Sequence, residues 1–356
     1  MPTNRHLNSD GKGRKELQYR QADVWKNCGL RAKICLVCRM VHSSHTMHYA
    51  TTRRFAVVSG NPHCCQSLYA ASVAAFEHEQ LADGRRTCFF GTDEDFALAC
   101  GQDYCHALIG AEPLWNLASW CERQAANKPI RNSLSAAHRA GCTPREASLA
   151  DAHIETACSV VRRKWLQNKH LPPLHFVAET EIIHEGTRCF VVESDGVVVG
   201  YGLARRSIDD VKTSTGAEYG IEHFIRAPDA PSGTVELLID HIAQTLALEG
   251  EQRLSLRLAP FSRKASCLLS PELRSQQMES YLQAIARFGG YWYNATGLER
   301  FKAKFLPDEW KPLYCSFRWE DPPLAVLAAF VEAFMEKRLL QSLGRIISHS
   351  MASVSH

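Results

Sequence analysis

The sequence predicts an α/β protein with mixed sheets and flanking helices, and three observations carry that expectation. Residues 55–110 alternate strand, helix, strand, helix, strand. Residues 189–204 read as two apolar strands joined by the turn Ser194-Asp195-Gly196. A long apolar helix starting near Ser232 then runs to Gly250 and is followed by a leucine-rich strand.

In order, residues 55–60 form the first strand and end in the turn Gly60-Asn61-Pro62. A helix over 67–82 follows, with Leu68, Ala71, Ala75, Phe76 and Leu81 on its apolar side. Strands are expected over 87–91 and 106–110, with a short helix from Asp93 between them. Residues 125–141 read as a helix whose Arg131, Ser135, His138 and Arg139 make a basic stripe, either solvated or binding. A second amphipathic helix over 155–169 turns Val160, Val161, Trp165 and Leu166 inward and Arg162, Arg163 and Lys164 outward. The strand over 253–259 turns its leucines to one face and stops at Pro260. A helix over 279–288 and a final one over 324–347 complete the chain.

At 356 residues two domains are expected, one over 47–170 and one over 171–321, with 322–356 as a helix and tail. With 45% hydrophobic and 22% charged residues the composition is that of a soluble globular protein. No apolar run reaches the roughly 18–20 residues of a spanning helix, so a cytoplasmic protein is expected, in contact with a membrane only peripherally. The net charge of +3 hides an asymmetry: residues 1–46 carry nine Lys/Arg against three Asp/Glu. That leader lacks periodicity and reads as a disordered or non-native basic extension. The fourteen cysteines show no repeated spacing, which suits a reducing compartment. Cys35, Cys38, His42, His45 and His48 crowd too closely for a closed zinc site, so no metal is expected, and no cofactor.

Residues 223–236, HFIRAPDAPSGTVE, organise the second half. Pro228 and Pro231 stiffen the backbone and bias Ala227 and Ala230 away from the helical region. Ser232 is read as the N-cap of a helix whose apolar positions include Leu237, Leu238, Ile239, Ile242, Leu246 and Leu248. Such a helix start suits a phosphate, a carboxylate or a developing oxyanion, although prolines also serve merely to stiffen a connection.

The run from Arg226 to Glu236, the block Ser255–Ser262 and the block Gly297–Trp310 together resemble the C-terminal domain of bacterial phosphatidylglycerol lysyltransferases, the multiple peptide resistance factor family. The likeness extends more weakly over residues 55–319. It implies tandem GNAT-like folds and transfer of an aminoacyl group from aminoacyl-tRNA to a membrane lipid, without the family's membrane domain. It implies catalytic roles for His223, Arg226, Asp229 and Lys304 and substrate-binding roles for Ser232, Gly233, Thr234, Glu236 and Lys302. His223 stands where the family pattern has Asp, and Ser232 where it has Asn. His223 or Asp229 would accept a proton, while Arg226 or Lys304 would anchor phosphate or offset an oxyanion. Arg131, Arg139, Arg162 and Arg163 are the candidates for tRNA contact.

Each residue also has a plain structural reading: a satisfied histidine at a strand end, a turn carboxylate at Asp229, lysines on a solvated turn. Two rival functions stay open. An acyl-CoA-dependent GNAT acyltransferase would want a glycine-rich pyrophosphate loop, and this loop has two prolines and one glycine. A non-catalytic binding module of the same fold is the other. The final helix, with Lys337, Arg338 and Arg345, suits either an anionic membrane surface or its own domain.

Overall fold

The computed structural model describes residues 36–40, 43–168, 186–207, 218–288 and 294–335. Most of the basic leader, Cys35 and His42, Trp292 and the chain beyond Met335, with its three basic residues, lie outside them.

Strand β3 (Phe55–His63) enters first from the hairpin β1 (Leu36–Met40) and β2 (Ser43–Thr51). Then come α1 (Tyr69–Ala82), β4 (Arg86–Thr92), α2 (Glu94–Ala99), capped by the Asp93 carboxylate, and the 13-residue β5 (Tyr104–Asn116). Helices α3 (Trp120–Ala126) and α4 (Lys128–Arg139) lead to β6 (Thr143–Ala147) and α5 (Ala152–Gln167). The second half runs β7 (Arg188–Ser194), β8 (Val197–Arg206), β9 (Glu218–Arg226), α6 (Thr234–Leu248), β10 (Arg253–Ser255) and β11 (Ala259–Pro260). It closes with α7 (Gln276–Phe288), α8 (Ala295–Ala303), β12 (Glu309–Arg318) and α9 (Pro323–Met335).

Among the described residues these strands join in one mixed sheet of order β1-β2-β3-β4-β12-β5-β10-β9-β8-β7-β6, with β11 also on β5. The expected α/β class with flanking helices is borne out. Strand β5 is the hinge of the design, with β12 antiparallel on one side and β10 antiparallel on the other. Strand β9 runs parallel to β10, so a helix must cross between them, and α6 does so. Around it Trp115, Trp120, Phe190, Leu238 and Phe305 are wholly or almost wholly buried, each contributing about 2–3 kcal/mol from area alone. A second core under β12 gathers Phe55, Ile109, Phe317 and Phe330. No described helix is long and apolar enough to cross a membrane.

Several expectations needed correction. On α1 the buried face is Tyr69, Ser72, Val73, Phe76, Glu77 and Gln80, whereas Leu81 is 62% exposed. Polar groups displace the apolar stripe because Arg318 and Tyr104 bind the Glu77 carboxylate. Leu248 is likewise exposed, beyond the last buried turn of α6. The strand over 253–259 breaks into β10 and β11, because Arg257 lies between them at φ 58°. Ser232 is exposed and does not cap α6; Gly233, at φ 89°, is the N-cap. Strands β1, β2, β6 and β12 were not foreseen, and of β9 only its end at His223 was.

Candidate active site

The organising loop sits at the end of β9, where the stiffening by proline is completed by an arginine. The Arg226 Nη1 donates to the carbonyl oxygens of Ala227, Pro228 and Ala230 at 3.2–3.4 Å, so this guanidinium ties the loop to itself. Thr234 is buried and its hydroxyl donates to Pro231 O at 2.7 Å. Gly233 is obligatory: a Cβ there would stand 2.0 Å from the Ser133 carbonyl oxygen on α4, quite apart from the left-handed φ. Asp229 is fully exposed, with Lys164 of α5 at 3.3 Å; a backbone hydrogen bond and that lysine hold its pKa below the usual range.

The two lysines of the FKAKF block point different ways. Lys304 donates to Glu236 Oε1 at 2.7 Å and to Ser133 Oγ at 2.8 Å, joining α8, α6 and α4 beneath the loop. Lys302 is buried and donates to the carbonyl oxygens of Arg257 and Leu258 at 2.9 and 2.8 Å. Burial pushes its pKa down to about 7. The turn that aims both is held by Trp115 Nε1 and Gln124 Nε2 on Phe305 O, and by Asn127 Nδ2 on Lys304 O.

A strip of alternating charge crosses the middle of the sheet. It starts at Asp93 and Lys311, 2.8 Å apart, and Lys311 on β12 pairs in register with Glu112 on β5. The Ser255 hydroxyl on β10 donates to the Glu112 carboxylate, and its oxygen accepts from Arg257 N at 2.8 Å. The Arg257 guanidinium then lies 2.7 Å from Glu222, 3.6 Å from Glu112 and 3.8 Å from Glu218, with Arg205 of β8 3.6 Å from Glu222. It can do so because Gly220, between the two glutamates on β9, has no side chain; a Cβ there would stand 2.1 Å from Arg257 Cζ.

Environment separates the carboxylates of this strip. Burial, reinforced by Glu112, pushes Glu218 up to about 7 against the pull of Arg257 and Lys311. Burial also opposes the Glu222 charge, but Arg257 and Arg205 outweigh it and hold its pKa low. Burial disfavours the Arg257 cation, yet Glu222, Glu112 and Glu218 raise its pKa above the ordinary value. The strip thus joins a fixed anion, a fixed cation and two groups, Glu218 and Lys302, poised near neutrality.

The sequence-derived residues divide between two places. Gly233, Thr234, Glu236 and Lys304 converge under the loop, where Arg226, Asp229 and Ser232 reach solvent. His223 falls beside the strip, because a register shift in the β8–β9 ladder sets both Glu222 and His223 against Leu203–Ala204. It adds, after Arg257 and Arg205, to the pull that lowers the Glu222 pKa. Arg226 stands four positions beyond Glu222, about 13 Å along a strand, so the loop and the strip are neighbours rather than one cluster. Arg131, Arg139 and Arg163 are exposed and Arg162 partly buried, on the helices α4 and α5 that touch the loop. Glu112, Glu218, Glu222 and Arg257 were missed. The alternation Glu218-x-Gly220-x-Glu222 on one strand face was the signal that could have found them.

Fold and site together define a mixed α/β protein with a strip of buried and half-buried charges at the middle of its sheet, flanked by a rigid loop at a helix start. Two solved structures share that fold at a TM-score of 0.63. One is the C-terminal domain of a putative lysylphosphatidylglycerol synthetase from Agrobacterium fabrum, 21% identical, with 81% of this chain and 85% of that one aligned. The other is L-PGS from Bacillus licheniformis, 18% identical, with 82% and 85% aligned. The family described as phosphatidylglycerol lysyltransferase, C-terminal, matches residues 20–317, and the chain belongs to that family. The lysylphosphatidylglycerol biosynthesis bifunctional protein LysX of Mycobacterium leprae is 28% identical over 114 residues. That match covers 31% of this chain and 10% of the LysX length.

Proposed function

We propose that the chain is an aminoacyltransferase that moves an aminoacyl group from aminoacyl-tRNA onto a hydroxyl of a phosphatidylglycerol-like lipid. Family membership supports a transferase acting in lipid aminoacylation, and the observation that carries the chemistry is Glu218, a carboxyl near neutrality beside a fixed guanidinium. The lipid hydroxyl oxygen attacks the ester carbonyl carbon, and Glu218 takes its proton. The tetrahedral intermediate collapses with cleavage of the ester bond to the tRNA ribose, and the proton passes to that leaving oxygen. This puts the proton acceptor on the strip, in place of Asp229 on the exposed loop, with His223 lining the same recess. Arg226, Lys304 and the N–H groups of Ser232 and Gly233 serve donor phosphate, with Thr234 bracing the turn through Pro231. Arg131, Arg139, Arg162 and Arg163 extend that surface along the tRNA backbone. The lipid acceptor brings the protein to the membrane surface, although the apolar face of α9, with Val326, Ala329, Phe330 and Ala333, is taken up by the protein's own core.

The test is incubation of the purified chain with a panel of radiolabelled aminoacyl-tRNAs and phosphatidylglycerol vesicles, followed by lipid extraction. Label should enter lipid with at least one tRNA, and Glu218→Gln should cut the rate by two orders of magnitude or more. No labelled lipid from any donor, or full activity in Glu218→Gln, overturns the reading.

A further inference from the structure

The acidic recess at the centre of the strip already contains a cation of its own. Three carboxylates from two strands, Glu112, Glu218 and Glu222, approach one guanidinium within 4 Å. Such a recess, lined by acid and partly open to solvent, is the chemistry that selects a lysine or arginine side chain. Arg257 fills it from within, at a cost: it is a non-glycine residue at φ 58°, where glycine would be unstrained. The strain is sustained by the Ser255 hydroxyl on its N–H and by Lys302 on its carbonyl oxygen. Gly220 clears the space beneath the guanidinium. A backbone, a hydroxyl, a buried lysine and a missing side chain all serve to keep this one cation in the recess.

We propose that Arg257 is a specificity-determining residue that closes the acidic recess to cationic side chains, so that the transferred amino acid is one with an uncharged side chain. This rests on the strip being the reacting centre, as proposed above. A lysyl donor would bring a further cation into a space where Arg257, Arg205 and Lys311 already face three carboxylates. An uncharged side chain meets no such competition.

Binding of L-lysinamide and L-alaninamide, measured by calorimetry, tests this without tRNA or lipid. The wild-type chain should prefer neither. Arg257→Gly should bind L-lysinamide at least tenfold more tightly than wild type, with L-alaninamide unchanged. Arg257→Gln, which removes the charge without changing chain flexibility as glycine does, should show the same gain, and adding Glu222→Gln should abolish it. A folded Arg257→Gln protein with no gain, or a wild-type chain that already prefers L-lysinamide tenfold, overturns the proposal. In the labelling assay, wild type should use donors charged with uncharged amino acids and Arg257→Gly should gain lysyl-tRNA. A gain in L-lysinamide binding with no transfer from any donor supports the role of Arg257 and counts against the transferase reading instead.

Discussion

Replacing Gly220 by alanine probes the centre of the strip with a single methyl group. The new Cβ would stand 2.1, 2.2 and 2.3 Å from Cζ, Nε and Nη2 of Arg257. Van der Waals contact needs about 3.5 Å, so the guanidinium must retreat by more than about 1 Å and lose its 2.7 Å bond to Glu222. A hydrogen bond between charged groups contributes about 1.5–3 kcal/mol. The Arg257 side chain keeps 29% of its exposure, so solvent screening reduces that to about 1–2 kcal/mol. Alanine in place of glycine recovers roughly 0.5 kcal/mol by stiffening the unfolded chain. The net loss is about 1 kcal/mol, or about 1–2 °C in Tm for a chain of this length, readable by urea denaturation and calorimetry. The decisive measurement is the cycle with Arg257→Ala. Once the guanidinium is gone the three atoms nearest the methyl group go with it, so the double variant should be no less stable than Arg257→Ala alone, a coupling of about 1–2 kcal/mol. If Gly220→Ala costs as much in the Arg257→Ala background as in wild type, the guanidinium does not lie on this strand and the geometry of the recess is wrong.

Gly233→Ala should be more damaging, about 3 kcal/mol or more in urea, because its Cβ meets the Ser133 backbone oxygen and the φ of 89° is left-handed; a loss under 1 kcal/mol would contradict the packing of the loop on α4. For Glu218, the folded protein binds the proton more tightly than the unfolded chain, so wild-type stability falls as pH rises from about 4.5 through about 7. Glu218→Gln removes that slope, and urea titrations at pH 5 and pH 8 should show the wild-type minus variant difference change by about 2–3 kcal/mol. Equal slopes in the two proteins would sink the near-neutral carboxyl. The triple variant Arg131→Ala, Arg139→Ala, Arg163→Ala should lower the slope of log affinity for tRNA against log salt by about 2. An unchanged slope would remove those arginines from the tRNA surface.

The sequence made the fold legible wherever one face of an element is apolar and the other is not. The hairpin β7–β8 and the helix α6 appear nearly to the residue, since the Asp195-Gly196 turn and the spacing of Leu238, Ile242 and Leu246 each allow one reading. It was less legible where polar side chains are buried. Glu77 and Gln80 turned α1 away from its expected face, and Glu218 and Glu222 hid most of β9, of which only the strand end at His223 was read. The loop at 226–236 was placed correctly as a rigid helix start, but two of its partners, Ser133 and Lys164, come from helices about 65–100 residues away. The strip is harder still to read. Asp93, Glu112, Glu222, Arg257 and Lys311 meet only through strand register across a sheet, a relation no local window contains.

The position of β12 has a consequence for how the chain is made. Residues 309–318 fill the gap between β4 and β5, which were synthesised some two hundred residues earlier. Until that late segment leaves the ribosome, both early strands present bare edges that invite pairing with the wrong neighbour. The N-terminal part of the sheet is therefore the first to be translated and among the last to be finished. A nascent chain stalled before Glu309 carries every residue of the loop and, Lys311 apart, of the charged strip, yet lacks the strand that joins β5 to β4.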